Sequence, residues 1–263
     1  MLTSNEAIAE VNFLAQSPVR VQILELLCEK GALTKSELNE RFDVSRVTIQ
    51  RNLEALEGRD WIDNSHPTYA ITPLGELVIE EVAPLTDSMA IMRKLQPFLK
   101  WMPRNSFDLD PRELADATII AVDEKNPTDW VHHHTDRIRS STNSWGLLPG
   151  TGIEAWNAAV DSSADGGFSA ELIVDPKVAE TLRSDPLYVD KVETLLERDA
   201  LDLYTYDGSI PYHIGRFDQY IQIVVADDEG IPRALVETNS DTVREWGESE
   251  FESYREQAEP LEF

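Results

Sequence analysis

The feature that most constrains the fold is a pair of short helical patterns within residues 33–58. Thr34 and Glu37 have the spacing of a capping box, which predicts a short helix that ends near residue 42. After a tight link, Ser45 is a suitable N-cap for a second helix that ends near residue 58. On that helix three apolar residues share one face: Ile49, Leu53 and Leu56. Two short helices joined so tightly predict a helix-turn-helix.

The flanking segments extend this unit into a winged helix. Residues 5–16 and 18–30 have helical patterns and are separated at Ser17 and Pro18, a typical helix start. Two short β segments, residues 61–63 and 69–72, follow the second helix and are joined by a polar turn. Three helices followed by a hairpin make a winged helix-turn-helix, which we assign to residues 1–79.

A long helical region begins at Pro73, and we assign its residues 80–104 to a linker and dimerisation region. Apolar residues follow an alternating spacing of four and three: Val78, Val82, Leu85, Met89, Met92 and Leu99. The first five of these are predicted dimerisation residues. Because Pro84 and Pro97 lie inside the region, we expect a kink or break and not one straight coiled coil.

Residues 105–263 alternate between strand and helix patterns. The predicted strands are 117–122, 143–148, 168–174, 201–206, 219–226 and 231–237. The predicted helices are 111–116, 127–140, 152–161, 176–198 and 240–258. This alternation favours an α/β sandwich with a mixed, largely parallel sheet, in which the last two strands form an antiparallel hairpin. The full expectation is an α+β winged helix-turn-helix, a helical linker and an α/β domain.

The charge balance is strongly acidic, with 49 Asp and Glu against 23 Lys and Arg. Such acidity ordinarily argues against a nucleic-acid partner. The carboxylates are spread along the whole chain, which resembles the solvated surface of proteins from salt-loving archaea, so acidity does not exclude DNA. Apolar stretches are shorter than a membrane span, and we expect a cytoplasmic protein. The single Cys28 is expected to be a small buried apolar residue.

Residues 44–56 resemble the recognition helix of bacterial and archaeal winged-helix regulators of the arsenic-repressor and sugar-regulator types. Residues 69–75 resemble the strand-to-helix join that closes their wing. The resemblance implies binding to double-stranded DNA, with arginine reading guanine and glutamine or asparagine reading adenine. The DNA-binding residues predicted on this basis are Ser45, Arg46, Val47, Thr48, Gln50, Arg51, Asn52, His66 and Thr68. The alternative is an ordinary solvated helix face.

Residues 210–218 and 233–239, with Trp246 and Phe251, resemble the sensor domain of archaeal methanogenesis-regulator-type proteins, which are common in haloarchaea. Such domains resemble non-catalytic relatives of the phospholipase D half-barrel. Those enzymes need a lysine two residues after a histidine, and the residue two after His213 is Gly215. We therefore expect no enzymatic activity.

Within this domain, His213, Arg216 and Asp218 are candidate ligand-binding residues, since their side chains suit a small polar or phosphorylated metabolite. Gly150 and Thr151 lie between a predicted strand and helix, where backbone amides favour an anion. Local salt bridges and an ordinary turn are the alternatives. The run 132–134 of three histidines is expected to be a polar helix face, and no metal or cofactor is expected.

These patterns lead to one function and one alternative. The sequence predicts a DNA-binding transcriptional regulator, acting as a homodimer, whose C-terminal domain senses a small molecule or a partner protein. The alternative is a protein-interaction adaptor that uses the winged helix as a scaffold. The two differ in whether the chain prefers a particular DNA sequence.

Overall fold

The computed structural model describes residues 5–103, 108–122, 127–164 and 166–263. The chain divides into two compact units, Met1–Ala90 and Ile91–Phe263. The expected boundary between the linker and the C-terminal domain, at residues 104 and 105, lies outside the described residues. Across the described ranges, no helix combines the length and apolar character needed to cross a membrane.

The first unit is a winged helix-turn-helix, as the sequence predicts. Its elements are α1 (Asn5–Ala15), α2 (Pro18–Lys30), β1 (Leu33–Thr34), α3 (Lys35–Arg41), α4 (Arg46–Glu57), β2 (Ile62–Ser65), β3 (Thr68–Ile71) and the part of α5 (Pro73–Leu99) that precedes Ile91. The three strands pair antiparallel in the order β1-β3-β2. The two-residue strand β1 was not predicted, since so short a segment has no pattern of its own.

Local hydrogen bonds fix the start of each helix in the helix-turn-helix. The Glu37 amide donates to Thr34 Oγ1 (3.3 Å), while the Glu37 carboxylate accepts from the Thr34 amide (2.8 Å). Ser45 Oγ accepts from the Thr48 amide at the start of α4 (3.1 Å). Between the helices lies a closed core of Ile23, Leu24, Leu27, Leu38, Ile49, Leu53 and Leu56. Caps and core therefore orient α4 with one face inward.

Helix α5 is continuous across Pro84 and Pro97, so of the expected kink or break the break does not occur. The predicted seam does not share one environment. Val78 and Val82 pack against the core of the first unit, whereas Leu85, Met89 and Met92 are exposed. Cys28 is also exposed, contrary to expectation. The heptad-like spacing places these five residues on one face of α5, but only its first two residues pack against a core.

The second unit contains one 3-10 helix, five α-helices and eight strands in its described part. They are the 3-10 helix Pro111–Leu114, β4 (Thr118–Ala121), α6 (Asp129–Arg139), β5 (Asn143–Leu148), α7 (Ile153–Ser162), β6 (Ser169–Val174), α8 (Pro176–Ser184), α9 (Pro186–Glu197), β7 (Leu201–Thr205), β8 (His213–Phe217), β9 (Tyr220–Ala226), β10 (Pro232–Thr238), α10 (Asp241–Arg255) and β11 (Glu259–Pro260). The sheet order is β11-β7-β6-β5-β8-β9-β10-β4.

The sheet is mixed, but the expectation of largely parallel pairing needs correction. Only the pairs β5–β6 and β6–β7 are parallel among its described pairings. Two antiparallel pairings come from β8, a strand that was not predicted, which lies between β5 and β9. The pairs β10–β4 and β11–β7 at the two edges are antiparallel as well. The predicted helix 176–198 is also two helices, because Asp185 caps a second one that starts at Pro186.

The sheet carries a layer of helices on each face. Leu147 of β5 packs in a core with Val243 and Phe251 of α10. The next residue, Leu148, packs against the core formed by α7, α8 and α9. Because side chains alternate along a strand, Gln222 of β9 faces away from α10 and toward the side that holds α6.

Candidate nucleic-acid interface and buried polar network

The outer surface of α4 carries two exposed cationic side chains. Arg46 and Arg51 are exposed, and neither has an ion pair or side-chain hydrogen bond among the described residues. Val47, between them, is 67% exposed. On the opposite face Ile49 is fully buried. This is the arrangement that a helix needs in order to enter a DNA groove while its inner face holds the domain together.

Three other predicted DNA-binding residues on α4 already make local hydrogen bonds. Ser45 Oγ lies 2.9 Å from Thr48 Oγ1, in addition to capping the helix. Gln50 Nε2 donates to Glu54 Oε1 (2.6 Å). These side chains lie at the surface, and each would have to exchange a local partner to contact DNA.

Asn52 does not belong to the outer face, which corrects the prediction. Its side chain is only 5% exposed. Its Oδ1 accepts from Arg20 Nε (3.0 Å), and its Nδ2 donates to the Thr48 carbonyl (3.0 Å). Asn52 therefore joins α2 to α4 inside the domain and is held away from a base edge.

The hairpin places His66 at an exposed turn between β2 and β3. Thr68 is half-buried and donates through Oγ1 to the Ser65 carbonyl (3.2 Å). Two cations that were not predicted, Lys35 and Arg41 on α3, are exposed and have no ion pair within the described ranges. Their charge was the only sequence signal, and it does not distinguish them from other surface cations.

The second unit contains a network of polar side chains between α6 and the sheet. At its centre is Glu237 of β10, whose side chain is 6% exposed. Arg137 of α6 donates two hydrogen bonds to this carboxylate (2.8 and 2.6 Å), and Gln222 Nε2 donates a third (2.7 Å). His133 Nε2 lies 3.1 Å from Glu237 Oε1. Burial alone would raise the pKa of Glu237, but these partners lower it overall.

Two histidines extend the network along the sheet. His134 Nδ1 is 2.6 Å from Gln222 Oε1, and Nδ1 is the donor because Gln222 Oε1 can only accept. The His134 ring makes edge contacts with the rings of His213 and Phe217, each at 5.4 Å. Burial, together with the neighbouring His134, lowers the pKa of His213 to about 3, and burial also lowers the pKa of His134. Both rings are therefore neutral at pH 7.

The network corrects the interpretation of the histidine run. His132 is exposed, as expected of a polar helix face, but His133 and His134 both point into the network. A usable signal was present elsewhere in the sequence. Gln222 interrupts the apolar run of β9, and Glu237 directly follows the apolar residues 234–236 of β10. Such residues need buried partners, and α6 supplies them.

The candidate ligand residues do not form one cluster. Because His213 and Arg216 are three positions apart on β8, they face opposite sides of the sheet. Arg216 Nε donates to the Asp218 carbonyl (2.6 Å), and its guanidinium pairs with Glu248. Asp218 has a left-handed backbone (φ 52°) and accepts from Thr142 and Asn143. Arg216 and Asp218 line one cavity of about 930 Å³, while His213 belongs to the buried network.

Gly150 and Thr151 lie far from that cavity along β5. They follow the last residue of β5, whereas Asp218 is bonded to its first residue. Thr151 Oγ1 accepts from the indole of Trp156 (2.7 Å). The turn therefore has a local structural role, and it does not join Arg216 in a common site.

The low pKa of His213 gives the stability of the second unit a defined pH dependence. A histidine whose folded pKa lies below its unfolded value contributes fully above about pH 6.5, and stability falls as the pH drops below that value. When the pH falls from 7 to 5, the unfolding free energy of the wild type should drop by about 1–2 kcal/mol more than that of His213→Gln. Urea unfolding at both pH values measures this difference. The exposed His132→Gln is the control, and an equal pH dependence in all three proteins would contradict the burial effect.

Comparisons with known proteins give two family matches. Residues 8–94 match the HVO_A0261 N-terminal domain, and residues 127–257 match the middle domain of the methanogenesis regulatory protein FilR1. Among curated proteins, no sequence matches the chain.

Solved structures resemble the chain at low identity. TrmBL2, an archaeal chromatin protein, is 14% identical, with a TM-score of 0.41 over 90% of this chain and 92% of its own. NucT from Helicobacter pylori is 12% identical, with a TM-score of 0.44 over 55% of this chain and 98% of its own. Nuc from Salmonella typhimurium, a phospholipase D family member, is 11% identical, with a TM-score of 0.43 over 56% and 99%.

The two family matches occupy most of the chain and follow the order of its two compact units. The first covers the winged helix, and the second covers the region from the start of α6 into the end of α10. The chain therefore belongs to the family of regulators that join an HVO_A0261-type winged helix-turn-helix to a FilR1-type domain.

Proposed function

We propose that the chain is a sequence-specific transcriptional regulator that inserts the N-terminal half of α4 into the major groove of DNA. The observation that carries this proposal is the exposure of Arg46 and Arg51, which make no ion pair with any described residue, on a helix whose Ile49 is fully buried. A guanidinium can hold the O6 and N7 atoms of guanine with two hydrogen bonds. Ser45 and the first amides of α4 suit a backbone phosphate.

The charge of the winged helix limits how it can bind DNA. Residues 1–79 contain 7 Lys and Arg against 12 Asp and Glu, so long-range attraction to the polyanion is absent. Binding must then depend on direct hydrogen bonds and on shape complementarity. Salt weakens these short-range contacts less than it weakens the long-range repulsion between the acidic chain and DNA. Molar salt is the condition that favours such an interface.

The proposal is tested by mapping the DNA that the chain occupies in cells and then titrating that DNA against a scrambled duplex at molar salt. A regulator binds the mapped site at least about tenfold more tightly than the scrambled one. Equal affinity for both, or no binding to either, would favour the alternative adaptor function. Circular dichroism at the same salt establishes that the chain is folded.

We further propose that the second unit binds a small polar effector in the cavity lined by Arg216 and Asp218. The cavity, of about 930 Å³, is large enough for a metabolite and also carries Trp145, Glu171 and Asp202. An effector acts on a regulator when it binds one conformation more tightly than another and so shifts their populations. Such an effector would change the affinity of the chain for its operator.

A compound that raises the melting temperature of the wild type is expected to lose most of this effect in Arg216→Ala, because the guanidinium lines the cavity. The matched control is Arg233→Ala. Arg233 has the same side-chain exposure of 36% and a comparable ion pair with Asp227, but it does not line the cavity. Thermal unfolding with a metabolite panel measures both. Equal stabilisation of Arg216→Ala and the wild type would place the effector elsewhere.

A regulator of this kind acts on two half-sites when it is a homodimer. We include a homodimer in the proposed function, with the exposed residues of α5 as its contact surface.

A further inference from the structure

Val47 on α4 is the most exposed large apolar side chain in the part of the chain that the structure describes. It is 67% exposed. Successive residues of a helix are about 100° apart, so Val47 and Arg51 each lie about 160° around α4 from the buried Ile49, on either side of the outward direction. The centre of the outer surface of α4 is therefore an isopropyl group with a guanidinium one turn further along the helix.

Val47 contributes little to the fold itself. Its side chain lies largely in water, and valine is a poorer helix former than alanine because its branched side chain loses rotamer freedom in a helix. A single exposed apolar residue is ordinary in a folded protein. The position of Val47, and not its exposure alone, therefore indicates its role.

The charges of α4 determine which of its turns can approach DNA. Glu54 and Glu57, the carboxylates of this helix, both lie in its second half. The first half carries Arg46 and Arg51 and has no carboxylate. Because phosphates line the groove, they repel the second half of α4 and attract the first. A groove-bound α4 would thus place Val47, in its first turn, at the base edges.

The apolar group that a base pair presents in the major groove is the C5-methyl group of thymine, whereas the edges of a G·C pair present hydrogen-bonding groups. Resting on the proposed DNA-binding function, we propose that Val47 packs against the C5-methyl group of an operator thymine. Its χ1 angle is restricted in a helix, so this packing costs little rotamer entropy.

The spacing along α4 predicts where this thymine lies. Val47 and Arg51 are about 6 Å apart along the helix axis, and neighbouring base pairs are about 3.4 Å apart. The thymine is therefore within about two base pairs of the guanine that Arg51 holds. That guanine is located as the base pair at which Arg51→Ala loses its discrimination between bases.

Replacing thymine by uracil in the mapped DNA site tests the contact, because this exchange removes only the C5-methyl group. Each thymine near the guanine is replaced in turn, and the duplexes are titrated at molar salt. One replacement is expected to raise the dissociation constant about threefold to fivefold, the effect of exposing one methyl group. If no replacement changes the affinity while the mapped site is still preferred over a scrambled duplex, the inference about Val47 is overturned and the DNA-binding function stands. Equal affinity for the mapped site and the scrambled duplex would overturn both.

The variants Val47→Ala and Val11→Ala assign the methyl contact to one residue. Val47→Ala should lose most of the difference between the thymine and uracil duplexes. The matched control Val11→Ala changes a valine on α1 that is 51% exposed, and it should keep the full difference. Since alanine is the better helix former, the unfolding free energy of Val47→Ala should be no lower than that of the wild type. A folded Val47→Ala that distinguishes thymine from uracil as well as the wild type does would overturn the proposal.

Discussion

Replacing Arg46 and Arg51 together by alanine is expected to lower the affinity of the chain for its operator about 30-fold or more. Each bidentate contact with a base contributes about 1–3 kcal/mol, which corresponds to at least roughly a fivefold change. Both side chains are exposed and make no ion pair among the described residues. Their loss should therefore affect DNA and not the fold.

Mobility-shift titration at molar salt measures the loss, and circular dichroism checks the fold. Lys30→Ala is a suitable control, because Lys30 is an exposed cation in the last turn of α2 and lies outside α4. It should leave the affinity unchanged. If the double variant is folded and binds the operator as tightly as the wild type, α4 is not the recognition helix.

The second large effect is expected from Arg137→Met, which should lower the unfolding free energy of the second unit by about 3 kcal/mol. Arg137 supplies two of the three hydrogen bonds to the Glu237 carboxylate, which is 6% exposed. Without the guanidinium, a nearly buried charge keeps only Gln222 as a donor and His133 as a neighbour. The lost stability is the free-energy cost of burying the Glu237 carboxylate without its cationic partner.

Urea unfolding measures this effect, and Arg139→Met provides the comparison. Arg139 pairs with Asp136 on the outer side of α6, where both side chains are largely exposed, so its removal should cost about 0.5 kcal/mol or less. Adding Glu237→Gln to Arg137→Met removes the stranded charge and should restore part of the lost stability. A cost for Arg137→Met no larger than that for Arg139→Met would show that the network does not hold α6.

The winged helix could be predicted from the sequence because its determinants are local. The capping box of Thr34 and Glu37 and the N-cap Ser45 act within three residues, and each forms as predicted. The buried face of α4 follows from its own periodicity. These signals fixed which residues of α4 face outward, with Asn52 as the exception.

Asn52 and the α5 seam show where local reasoning fails. Asn52 is buried because Arg20, 32 residues earlier, supplies its partner. The spacing of four and three places Val78, Val82, Leu85 and Met89 on one face of α5, yet only the first two pack against a core. How much of a helix face is covered depends on residues that are distant in sequence.

In the second unit, the sequence predicted most strands but not their pairing. A strand such as β9, buried on both faces, has the same composition whether its neighbours are parallel or antiparallel. β8 was missed because its five residues include His213, Gly215 and Arg216 and so lack an apolar run. Without β8, neither the opposite orientations of His213 and Arg216 nor the partners of Gln222 could be predicted.

Gly215 also links the sheet to the packing of α6. His134 of α6 contacts the rings of His213 and Phe217, which flank Gly215 on β8, and bonds to Gln222, the partner of Gly215 in the sheet. A Cβ at this position would lie 3.0 Å from Phe217 and 3.3 Å from His213. Any side chain at position 215 would therefore have to shift the two rings that His134 contacts. Position 215 and helix α6 are thus expected to tolerate substitutions only in combination.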